Sequence, residues 1–216
     1  MHERTGDLKT AEEIYRTSVS FRKNYPFALA ALAGVEGKSK RYSEAEKHIR
    51  EAIALRQDAG FHEEHARILQ AQGKTEERAE ALRLAEELLT GGKGHKHGEG
   101  ESHGHSLELA RFELEFHNDP AEALHQLEGE LARRPDNIEV QSAMAATQLM
   151  NAEPEDALRY SVGSLRTGCT DALVLCIAGT AAVKNGDSKG GKALIAKAWK
   201  IDPYLQHPLA LRARSL

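Results

Sequence analysis

The chain reads as a succession of short segments. In each, apolar residues recur at helical spacing, and brief polar stretches separate them. The last full unit is the cleanest. Leu175, Ala178, Gly179 and Ala182 mark one face of a helix, Gly186-Asp187 makes a turn, and Gly191, Ile195 and Ala198 mark a second helix that Asp202-Pro203 ends. Small residues at such offsets let two helices approach closely, and a proline cannot extend the helix it follows. The same hairpin recurs along the chain. Ala11, Ala45 and Ala79 are spaced by 34 residues, as are Ala123, Ala157 and Gly191, and Pro135 and Pro203 lie 68 apart. Tyr15, Ile49, Leu82, Leu127, Ser161 and Ile195 follow these small markers by three or four positions, placing a small and a larger residue on one helical face. The third unit fits better with its second helix shifted by one, which turns Leu82 and Ala85 inward, and Arg111 and Glu130 stand where the pattern wants small residues.

A 34-residue helix-turn-helix period with these residues resembles the tetratricopeptide repeat. The resemblance covers roughly residues 6–203, and the segment from Asp171 to Ala210 looks like the closing repeat of bacterial members. It implies an all-α, right-handed α-solenoid of about five and a half repeats, closed by a short C-terminal capping helix in which Arg212 and Arg214 face water. The first repeat lacks its first helix, so the natural N-terminus is expected to be missing. Three regions are expected: repeats over 1–90, a flexible Gly/His-rich loop over 91–106, and repeats with the cap over 107–216.

Composition narrows the function. The 216 residues are 40% hydrophobic, 29% charged and 5% aromatic, with a net charge of −4. That balance gives no basic footprint for nucleic acid. No run of 18 apolar residues is present, so no membrane insertion is expected. The polar start does not read as a signal peptide, and cytoplasm and periplasm both stay open. Cys169 and Cys176 are seven apart on one expected helix, about 10 Å along its axis, too far for a bridge. They are read as free thiols.

Between Leu89 and Leu107 the sequence TGGKGHKHGEGESHGHS interrupts the period with ten extra residues. It contains no apolar side chain to offset the entropy of ordering, and so reads as a flexible loop. His95, His97, His103 and His105 form two His-x-His pairs around Glu99 and Glu101, and imidazoles with carboxylates can bind Zn, Ni or Cu. A metal-binding accessory protein is therefore the alternative function; no cofactor is otherwise required.

Other motifs fail on detail. Gly186 to Lys192 matches the start of a phosphate loop, but Ala193 stands where the magnesium-binding hydroxyl belongs, and a helix precedes it instead of a strand. His62-Glu-Glu-His65 has its histidines at i and i+3, whereas a zinc-protease helix needs i and i+4. No catalytic constellation emerges, and the chain is read as non-enzymatic.

The resemblance also implies where a partner docks: on the concave face formed by the first helix of each repeat. By register this face comprises Glu63, Arg67 and Gln70; Glu108, Phe112, Glu115 and Phe116; Glu139, Ser142, Ala146, Leu149 and Met150; and Leu173, Cys176, Thr180, Val183 and Lys184. Exposed Phe112, Phe116, Leu149 and Met150 would form an apolar patch, and Glu108 with Glu115 would favour a basic segment. The Lys/Asn clamp of the co-chaperone subfamily is absent, since its positions hold Ala30 and Gly34, Glu63 and Arg67, and Glu108 and Phe112. The expected role is a scaffold for protein or peptide partners, with the groove centred on 105–150.

Overall fold

The computed structural model describes residues 7–91, 105–166 and 168–216. Among these residues every regular element is a helix. The chain divides into two compact units, Met1–Lys96 and His97–Leu216. The first holds α1 (Leu8–Phe21), α2 (Pro26–Lys38), α3 (Tyr42–Leu55), α4 (Ala59–Ala71) and α5 (Thr75–Leu89). The second holds α6 (Ser106–Phe112), continued by a π-helical turn (Glu113–His117), then α7 (Pro120–Arg133), α8 (Ile138–Met150) and α9 (Pro154–Leu165). It ends with α10 (Ala172–Lys184), α11 (Ser188–Ile201) and α12 (Pro208–Ala213).

Within each unit consecutive helices pair into hairpins: α2 with α3 and α4 with α5, then α6 with α7, α8 with α9 and α10 with α11. Each second helix also packs on the next first helix, and the first helices pack on one another. This explains their compositions. A first helix is surrounded, so α10 is buried continuously from Leu175 to Ala182 and α8 from Ser142 to Thr147. A second helix buries one stripe only: Ala45, Ile49 and Ala52 on α3, and Gly191, Ile195 and Ala198 on α11. Each fully buried leucine on these faces contributes about 1.5–3 kcal/mol.

Helix boundaries follow local chemistry. Pro120 and Pro154, 34 residues apart, open α7 and α9 at the first turn, where a missing N–H costs nothing. Asn137 and Asp171, also 34 apart, cap α8 and α10 by accepting two backbone N–H bonds each. The turn inside each hairpin is the same one. Lys40, Gly73, Asn118, Ala152 and Gly186 all have left-handed backbones, with φ of 61°, 72°, 57°, 61° and 93°. After four of them the next N–H closes on a carbonyl five residues back, as in Arg41 to Glu36 and Glu153 to Gln148. Lys40 and Gly73 are 33 apart, which is the one-residue shift expected in the third repeat.

The contact between α10 and α11 is glycine to glycine. A Cβ on Gly179 would stand 2.6 Å from the Gly191 carbonyl oxygen, so α10 and α11 meet at a distance that only glycine permits.

Candidate partner-binding face

The first helices α6, α8 and α10 form one face of the second unit, and the sequence-predicted residues distribute unevenly over it. Glu108 and Glu139 are exposed, while Glu115, Phe116 and Met150 are half-buried. Ser142, Ala146, Cys176 and Thr180 are buried between neighbouring helices. Phe112 and Leu149 do not form an exposed patch. They are 1% and 7% exposed and belong to the interior.

The cause lies at Arg111. A guanidinium cannot enter the close helix-helix contact that the repeat reserves for a small residue, so α6 sits one residue out of register. Ala110 takes the buried place instead, equivalent to Ala145 and Gly179, and Phe112 falls where Thr147 and Ala181 are buried in the next repeats. Its ring packs against Phe116 (centroids 5.2 Å apart) and edge-on against His117 (4.9 Å). The π-turn then absorbs the extra residue. The closing bond runs from the Asp119 N–H to the Glu113 carbonyl, six residues back instead of five, and Asn118 returns to the common register. Arg111 consequently takes the outward position assigned to Phe112, with its Nη2 3.7 Å from Glu139. The clash of an arginine with a small-residue position was the available signal.

In the first unit, Glu63 and Arg67 are half-buried and Gln70 is exposed. Arg67 pairs with Glu63 at 3.4 Å and Glu64 at 3.2 Å, so its charge is largely answered within α4. His62 is buried, with its Nε2 2.9 Å from the Gln57 side-chain oxygen, and burial holds both His62 and His65 below the usual imidazole range. Such histidines stay neutral and serve packing. Two buried carboxylates are also answered. Glu36, 0% exposed, meets Arg16 at 2.9 Å and His48 at 2.7 Å, and Glu130 is held by Arg133 and Arg134. An arginine pair thus supports a glutamate where a small residue was expected.

The remaining motifs resolve as structure. Gly186 is the left-handed turn residue, and Gly191 is the close-contact glycine, leaving Lys192 exposed on α11. Both cysteines are free, but they do not share a helix. Cys169 precedes α10, whereas Cys176 lies within it, and burial pushes its thiol up to about 11. His95, His97 and His103 lie outside the described residues. His105 is exposed at the start of α6. Among the described residues no group of three His, Cys, Asp or Glu side chains is placed to hold a metal ion, and no helix is long and apolar enough to cross a membrane.

Comparison with solved structures bears on this arrangement. A tetratricopeptide repeat protein from Parabacteroides merdae superposes with a TM-score of 0.50 at 13% identity, over 96% of this chain and 78% of that one. This chain has the tetratricopeptide-repeat fold. PilW, a widely conserved type IV pilus biogenesis factor, is similar to it at a TM-score of 0.52 and 16% identity, over 96% of this chain and 91% of PilW. A chain of the Cut9–Hcn1 hetero-tetramer of the APC/C reaches 0.59 at 12% identity, with the match covering 94% of this chain and 38% of that one. No protein-family model matches the sequence, and no curated protein matches it. At these identities the likeness establishes the tetratricopeptide fold; function has to come from the face itself.

Proposed function

We propose that this protein is a non-catalytic scaffold that holds a peptide or protein partner against the first helices of its second unit, over residues 105–150. The observation that carries this reading is that half-buried Phe116, on the π-turn, and half-buried Met150, on α8, share the first-helix segments of adjoining repeats with the carboxylates of Glu108 and Glu115, while Glu139 is paired with Arg111. Half-buried apolar side chains on a rigid helical scaffold can be fully desolvated by a partner without rearranging the core, and this is how a few residues dominate an interface. The surrounding acids select a segment with Lys or Arg beside its apolar anchors. Of the three similar solved chains above, one belongs to the Cut9–Hcn1 hetero-tetramer and one is a pilus biogenesis factor, and a role in holding partners accords with that company.

The test is to pan a displayed peptide library on the full chain. Basic peptides with one or two apolar anchors should be selected. Phe116→Ala with Met150→Ala should weaken their binding at least tenfold while leaving the helical signal intact. Selected peptides that bind the double variant as tightly as the parent would refute the reading.

A further inference from the structure

Among the described residues α10 is the last first helix of its stack, and one of its flanks meets no further first helix. On α10 this flank carries Cys176 and Thr180, in register with Ser142 and Ala146 on α8, yet they are 1% and 8% exposed. The cover comes from α12. The helix α12 has α10 as its main packing partner. Ala210 shares a buried cluster with Leu175, Cys176 and Ala198, and Leu209 shares another with Ile177 and Ala181. Two arginines secure its last turn. The Arg212 guanidinium donates to the Asn118 side-chain oxygen at 3.0 Å, at the hairpin turn two repeats earlier, and that of Arg214 lies 4.6 Å from the Trp199 ring centroid. Both arginines stay exposed, as expected of a cap, while the Arg212 bond also ties α12 back along the unit.

From this, and resting on the partner-binding reading above, we propose that the first-helix face of the second unit accepts a short helix with the pattern Leu-Ala-x-x-Ala and an arginine in its last turn. In this pattern α12 is the resident occupant, which a partner helix of the same chemistry displaces. The helix has only six residues, too few to persist alone in water, so its order depends on its few contacts with the stack. Elements held by so little open well before the cooperative core does. Closure by α12 then lowers a partner's apparent affinity by the fraction of time the face is open.

The experiment uses a fluorescent peptide of residues 203–216 as probe, with the full chain and a chain ending at residue 205. The peptide should bind the shortened chain at least tenfold more tightly than the full one, and Leu209→Ala or Arg212→Ala in the peptide should each weaken it. A shortened chain with native helicity that binds the peptide no better than the full chain overturns the proposal. Should truncation unfold the second unit, hydrogen exchange on the intact protein decides. Amides of α12 exchanging at least tenfold faster than those of α10 support a displaceable occupant, and exchange of both helices in one step rejects it. Library-selected peptides that still need Phe116 and Met150 while the α12 peptide fails would sink this inference and leave the scaffold reading standing.

Discussion

At the scale of single residues, the turn inside each hairpin carries the clearest consequence. Ala152 and Lys40 hold a left-handed backbone without the glycine that relieves it at Gly73 and Gly186. The steric penalty of about 1 kcal/mol, less the added freedom of glycine in the unfolded chain, leaves a net gain of about 0.5 kcal/mol for Ala152→Gly, readable as a higher denaturation midpoint. Titration gives a second expectation. His62 and His65 have lowered pKa values, chiefly through burial, so the unfolded chain binds protons more readily than the folded one. Their contribution is complete above about pH 6.5 and declines as pH falls through the folded values. Urea midpoints should drop between pH 7 and 5 in the parent and change less in His62→Gln. Glu46 acts in a lower window. Its bond to Lys74, supported by Gln72 and Arg50, lowers its carboxyl to about 2, so its stabilising effect is full above about pH 4.5 and is lost progressively as pH falls towards 2. Phe112→Ala should cost about 3–5 kcal/mol because the ring is core. The repeat register places that ring at the surface. That placement carries the unbroken 34-residue register of the later repeats back to α6, where Arg111 forces a slip, and a one-residue slip exchanges an inward side chain for an outward one.

Elements show which parts of the fold were readable. The hairpins were legible because close helix contact demands small residues at fixed offsets, and Gly179 with Gly191 is the extreme case. Adding a methyl group at Gly179 would press a Cβ against the Gly191 backbone, and Gly179→Ala should destabilise by at least about 2 kcal/mol, measured by chemical unfolding. The shifted third repeat was legible for the same reason, since Leu82 and Ala85 turned inward as expected. The π-turn was not, because nothing in the local composition of Glu113–His117 distinguishes a wider helical turn from an α-turn. Nor was the path of α12. The sequence announced a short helix ending in arginines, but the partner of Arg212 lies 94 residues away at Asn118. Contacts of that range leave no local periodicity.

On the scale of the molecule, the two units are built alike. In each, second helices present one apolar stripe inward and charged side chains outward, while the first helices are surrounded. Such stacks grow by repetition, and each hairpin is stabilised by its neighbours. A rigid array of this kind suits display of side chains, and half-buried Phe116 and Met150 are the side chains that the first helices of the second unit offer in the proposed reading. The most direct check is an amide chemical-shift map of the isotope-labelled full chain titrated with a library-selected basic peptide. The account predicts perturbations concentrated on α6, the π-turn and α8, with Phe116 and Met150 among the largest. Perturbations confined to the outward faces of α7, α9 and α11 would contradict it.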